Sequence, residues 1–163
     1  MRQSFRVLLV EDDDSLRCCL SEFLASHGWE VGAAASAAEA MSMAWRQRFD
    51  FSILDFHLPG MTGLDLFQQL ASVRPLPSIL MSGLASAEEA AAAHRAGFFT
   101  FLRKPLELER LRQSLQLLIQ THFGGPMTHG QVRDRRPHWS QPGRQAPPPP
   151  PPPAPPTSPQ SRR

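Results

Sequence analysis

Apolar residues in the first 120 positions of the chain alternate between short unbroken runs and helically spaced stripes. Four runs, Phe5 to Val10, Phe51 to Asp55, Ser78 to Met81 and Phe98 to Arg103, are bounded by turn or charged residues and read as buried strands. Residues 30–35 form a weaker fifth candidate, with Val31 its best apolar member. Between the runs, Leu16, Cys19, Leu20, Phe23 and Leu24 make one core-facing helical stripe that Gly28 ends, leaving Cys18 on another side. Ala37, Ala40, Met41, Ala44 and Trp45 form a second stripe, opened by Ser36 and Glu39 at capping-box spacing. A third helix runs from Thr62 to about Ser72 with Leu64, Leu66, Phe67 and Leu70 apolar, and Pro75 and Pro77 close it. Ser86 and Glu89 repeat the capping-box spacing before an Ala-rich helix that reaches Ala96-Gly97. Glu107 to about Thr121 completes the series, with Leu108, Leu111, Leu115 and Leu118 on one face. Five strands alternating with five helices predict an α/β fold, a doubly wound five-stranded parallel sheet with helices on both faces.

Composition divides the chain in two. Of 17 prolines, only Pro59, Pro75, Pro77 and Pro105 precede residue 120. The expected domain therefore spans residues 4–121, and residues 122–163 read as a disordered Pro/Arg-rich tail with polyproline II character around Pro147 to Pro153. Charge divides the same way. Residues 1–119 hold 11 Lys and Arg against 14 Asp and Glu, whereas the tail holds 6 Arg against Asp134 alone. The overall formal charge of +2 is thus no nucleic-acid footprint of the folded part, for which no nucleic acid is expected. Adjacent Cys18 and Cys19 are poor disulfide partners and read as free thiols of a cytoplasmic protein. No apolar stretch of 18 residues occurs, so no membrane partner is expected either.

The chemistry gathers at strand exits. Glu11 and Asp12 follow the first strand, Asp55 ends the third, Ser82 the fourth and Lys104 the fifth. In open parallel sheets, ligands bind at the carboxyl ends of the strands. Three converging carboxylates repel one another and call for a hard cation, and Mg²⁺, which takes one or two carboxylates plus phosphate oxygens, suits them better than a caged Ca²⁺. Asp55 is then a candidate nucleophile toward phosphorus, Lys104 a point charge for phosphoryl oxygens and Ser82 a hydroxyl donor, with Gly83 leaving room for a donor. Each has a plainer reading: Asp55 as a turn cap, Lys104 as a rim ion pair, Ser82 as a turn hydroxyl. Asp13 and Asp14 are read as acids favoured at a helix N-terminus.

Val10-Glu11-Asp12-Asp13, Leu54-Asp55 with Pro59-Gly60, Met81-Ser82-Gly83 and Phe101-Leu102-Arg103-Lys104-Pro105 together resemble the receiver domain of two-component response regulators, over roughly residues 4–120. The resemblance implies a flavodoxin-like fold and phosphoryl transfer to Asp55 from a sensor histidine kinase. It implies Mg²⁺ held by Glu11, Asp12, Asp55 and the backbone carbonyl of His57, with Lys104 pairing with the phosphoryl group. Ser82 and the aromatic Phe101 would be the switch residues, and the Lys104-Pro105 bond would be cis. Glu11 stands where Asp is commoner and Ser82 where Thr is commoner, while His57 occupies a position that influences the lifetime of the phosphoryl group. The expected protein is a phosphorylation-dependent, stand-alone receiver, not an enzyme with an external substrate. It would signal by protein contact or through a homodimer formed on the 86–121 face. Two alternatives stand beside it: the receiver part of a DNA-binding transcriptional regulator that has lost its output domain, and a phosphatase-type enzyme with an Asp nucleophile. Those enzymes usually carry a second acid two residues past the nucleophile, where this chain has His57.

Overall fold

The computed structural model describes residues 4–84 and 86–124; the expected tail lies outside them except at its start, where His122 and Phe123 continue the last helix and Phe123 packs on the core, so the folded unit runs past residue 121. The chain runs β1 (Arg6–Val10), α1 (Asp14–Ser26), β2 (Glu30–Ala34), α2 (Ala37–Arg46), β3 (Phe51–Asp55), β4 (His57–Leu58), β5 (Met61–Thr62), α3 (Gly63–Val73), β6 (Ser78–Ser82), α4 (Ala87–Ala96), β7 (Thr100–Arg103) and α5 (Leu108–Phe123). Five strands form one parallel sheet, as expected, and their order in it is β2-β1-β3-β6-β7. Every residue of β3 and β6 is buried, which is why these central strands lack a polar face.

Strand alternation sends side chains to two cores. Val7, Leu9, Ile53, Ile79 and Met81 pack with Leu20 and Leu24 of α1 and with Leu111, Leu115 and Leu118 of α5. Leu8, Val10, Leu54 and Leu80 pack on the other face with Ala40 and Ala44 of α2, Leu66 and Leu70 of α3 and Ala93 of α4. Ser52 and Ser78, buried on neighbouring strands, satisfy each other at 2.6 Å.

Several expectations need correction. Cys19 is exposed along with Cys18. The buried centre of α1 is Leu20, and a residue one position away lies about 100° round a helix of 3.6 residues per turn. Leu108 is 41% exposed, so the α5 stripe begins at Leu111. Phe98 precedes β7, its N–H bonded to Ala93 O where Gly97, at φ 96°, ends α4 in the left-handed region. After Asp55 the Pro59-Gly60 pair does make a turn, with Gly60 at φ 82°, and the residues flanking it add a short hairpin, β4 with β5, that the apolar pattern did not predict. The full capping box sits at Thr62 and Asp65, not at the two predicted places. Ser36 and Ser86 do cap their helices, but Glu39 bonds the N–H of Ala35 and Glu89 is drawn elsewhere.

Candidate functional site

The order of strands reverses between β1 and β3, and at this switch point the register sets the exits level. Val10 pairs with Leu54, Asp55 with Met81, and Ser82 with Arg103. One residue beyond β1 and β7 stand Glu11 and Lys104, so all the predicted groups share one edge of the sheet.

Glu11 is fully buried and Asp55 is 3% exposed, whereas Asp12 is exposed. Carboxylate oxygens of these three residues lie within 4.8 Å of one another. Lys104 Nζ reaches between the two buried acids, 2.7 Å from Glu11 Oε2 and 3.1 Å from Asp55 Oδ2. Glu11 Oε2 is buried without a well-directed hydrogen bond, and the ammonium beside it compensates by charge. Burial pushes the Glu11 carboxyl above its usual range; the Lys104 ammonium pulls it back, and the charge of Asp55 raises it, leaving a net rise. Burial alone would lower Lys104, but its contacts with Glu11 and Asp55 outweigh that and hold the ammonium above the usual lysine range. Among the described residues Lys104 is the one cation paired with these carboxylates, so the three acids outnumber the charge that faces them. An all-oxygen set with a poorly satisfied buried oxygen fits a small divalent cation such as Mg²⁺.

The loops are pinned from behind. Asp13 caps α1 by accepting from Leu16 N–H at 2.7 Å and donates its own N–H to Glu11 Oε1 at 3.2 Å. Asp14 pairs with Arg17, so both acids are helix-start residues as expected. Arg17 Nη1 also donates to the carbonyl of Glu11 at 2.9 Å, fixing the acidic loop from its first helical turn. At Asp55 the constraint is steric. A Cβ on Gly63 would lie 2.3 Å from the Asp55 carbonyl oxygen, so the start of α3 can press on the site only because residue 63 has no side chain.

His57 and Ser82 adjoin this cluster, and Phe101, on β7, precedes Lys104 by three residues. The N–H of His57 lies 3.4 Å from Asp55 Oδ1, and its ring is about half exposed. Ser82 is buried, and its carbonyl accepts from Lys104 N–H at 2.8 Å. The Lys104-Pro105 bond is cis. Phe101 is half-buried against the α2, α3 and α4 core, and with Lys104 and Pro105 it lines a groove of about 480 Å³. Sequence spacing gave no role at this site to Arg17, Gly63 or Glu89; Glu89 did carry a local signal, its capping-box spacing from Ser86, but that signal pointed to the helix start and not to Ser82 and His57.

The profile of the response regulator receiver domain family matches residues 7–116. Among curated proteins the chain is 36% identical over 110 residues to transcriptional regulatory protein GlrR of Escherichia coli, covering 67% of this chain and 25% of the relative. To the probable transcriptional regulatory protein TcrX of Mycobacterium tuberculosis it is 34% identical over 119 residues, covering 72% and 51%. Among solved structures, the beryllofluoride-activated NtrC4 receiver domain dimer superposes with a TM-score of 0.68 at 26% identity, covering 72% of this chain and 98% of that one. The chain therefore spans a quarter to a half of the length of these curated relatives.

Proposed function

Because the chain belongs to the response regulator receiver domain family, we propose that it is a signalling switch whose phosphoacceptor is Asp55 and whose donor is the phosphohistidine of a sensor histidine kinase. The observation that carries this reading is the Lys104 ammonium between two buried carboxylates at the switch point of the sheet, with the exposed acid Asp12 beside them. Residues 4–121 would form the functional unit.

Glu11, Asp12, Asp55 and the carbonyl of His57 would hold Mg²⁺, which supplies positive charge to the transferring phosphoryl oxygens. Asp55 contributes a carboxylate oxygen that attacks phosphorus. A new P–O bond forms as the P–N bond to the donor imidazole breaks, and the ring leaves with the bonding pair. Lys104, held protonated by its acidic neighbours, balances charge on the phosphoryl oxygens, and the buried Ser82 places a hydroxyl at the same edge. The product is a changed surface: an acyl phosphate adds nearly two negative charges and three acceptors, enough to bias a two-state element built from the β6–α4 region and Phe101. Phosphoryl uptake and loss are self-catalysed, and no external substrate is turned over.

A second reading draws on the relatives, whose names describe transcriptional regulators. There the same switch would serve DNA binding, and a gel shift with and without phosphodonor tests it. In either setting the cytoplasm is where a kinase would meet this domain. Among the described residues no helix is long and apolar enough to cross a membrane. The phosphoacceptor assignment is tested by intact mass after incubation with acetyl phosphate and Mg²⁺. One phosphoryl increment, absent in Asp55→Asn and in chelator, supports it; an unmodified wild type overturns it.

A further inference from the structure

Helix α4 sends a carboxylate into the site that the spacing at its start disguises as a cap. Glu89 lies in the first turn of α4, where its N–H donates to Ser86 Oγ at 3.1 Å. The expected partner of its side chain is the N–H of Ser86. Its carboxylate instead accepts from Ser82 Oγ at 2.7 Å through Oε2, while Oε1 lies 3.5 Å from His57 Nε2. The side chain is only 13% exposed, so a charged group is held inward by these contacts rather than left to water. One acid thus joins the residue two beyond the proposed phosphoacceptor to the hydroxyl at the end of β6.

We propose that Glu89 is a latch on Ser82, a positioning residue that engages the Ser82 hydroxyl in the unphosphorylated protein and must release it when Asp55 is phosphorylated. The inference rests on the phosphoacceptor reading and concerns the regulation of that same site. A hydroxyl carries one proton and donates to one acceptor at a time. A phosphoryl group on Asp55 brings three strong acceptor oxygens to the sheet edge where Ser82 stands. Donation to it breaks the Ser82–Glu89 bond and leaves a carboxylate, stripped of its donor, facing a new anion. Repulsion then drives Glu89 outward and carries the first turn of α4 with it. Modification at Asp55 is thereby converted into displacement of a helix on the opposite side of Ser82. The latch also opposes phosphorylation, because the site reaches its phosphorylated arrangement only after a charge-assisted hydrogen bond is broken.

The test is a double-mutant cycle on the full chain, read as the dissociation constant for beryllofluoride in saturating Mg²⁺. Wild type, Glu89→Ala, Ser82→Ala and the double variant are compared. Glu89→Ala should bind beryllofluoride roughly ten-fold more tightly than wild type, the equilibrium worth of one charge-assisted bond. In the Ser82→Ala background the same substitution should change affinity by no more than about two-fold, the scatter expected for uncoupled sites. Glu89→Gln, which keeps an acceptor oxygen and loses the charge, should fall between wild type and Glu89→Ala. Unchanged or weaker binding by Glu89→Ala overturns the latch, as does equal tightening in both backgrounds, which would signify charge repulsion alone. A wild type that binds beryllofluoride with a flat cycle removes the latch and leaves the phosphoacceptor reading standing. A wild type that neither binds it nor takes up a phosphoryl group removes both.

Discussion

Replacing Lys104 by methionine removes the one ammonium in contact with two buried carboxylates while keeping most of the volume of its stem. At an effective dielectric constant of ~20, contacts of 2.7 and 3.1 Å correspond to attractions of about 6 and 5 kcal/mol before any desolvation is subtracted. Desolvation of the lysine offsets much of this, and truncating one partner of a buried pair typically costs about 3–5 kcal/mol. Lys104 keeps 19% of its side-chain surface in water, which screens part of the loss, and Glu11, already held above the usual carboxylate range by burial, loses the ammonium that pulls it down. The expected loss for Lys104→Met at pH 7 without divalent cation is therefore about 2–4 kcal/mol, or roughly 10 °C in Tm for a domain of this size.

Two conditions sharpen the prediction. A raised folded-state carboxyl binds more protons than the unfolded chain, so its contribution to stability grows as pH falls from its folded value toward the unfolded one. Without the ammonium Glu11 rises further, and the deficit of the variant should narrow between pH 7 and pH 5. Saturating Mg²⁺ should stabilise the variant more than the wild type, since the ion supplies charge that the variant lacks. Urea titrations in chelator and in Mg²⁺ at both pH values measure all three. A deficit below about 1 kcal/mol, or one that widens on acidification, refutes the electrostatic account of the cluster, because an unpaired buried charge costs more than that.

Other consequences are local. Gly63→Ala places a methyl 2.3 Å from the Asp55 carbonyl oxygen, a backbone atom that cannot turn aside; the urea midpoint should report a loss of about 2–3 kcal/mol, and a wild-type midpoint would show that α3 recedes freely. Both Cys18 and Cys19 should react with a thiol reagent in the native protein about as fast as in denaturant, and one thiol protected until unfolding would restore Cys19 to the core.

The central strands were legible because burial on both faces leaves an unbroken apolar run, and four of the five chemical groups follow or end such runs. Edges were less so. β7, paired on one side only, was read two residues long at its start because Phe98 is apolar, yet that residue belongs to the cap of α4. The stripe of α1 is drawn one position too wide at Cys19, since a period of 3.6 does not say where its centre lies, and that of α5 one turn too early at Leu108, the first residue of the helix. Glu89 shows a different limit. Its spacing from Ser86 satisfies a local capping rule, but a buried hydroxyl and an imidazole brought close by the fold compete for the same carboxylate and win. Arg17 is silent in its contact with the acidic loop, because there it bonds the carbonyl of Glu11, and a backbone atom leaves no mark in a sequence.

Which side chain carries the phosphoryl group decides everything else proposed for this site. Borohydride reduces an acyl phosphate of aspartate to homoserine, so treating the phosphorylated full chain and mapping its peptides by mass reads the position directly. Homoserine at residue 55, formed only when phosphodonor and Mg²⁺ were both present, is the expected result. Homoserine at Asp12 or any other carboxylate, or at none, would contradict it.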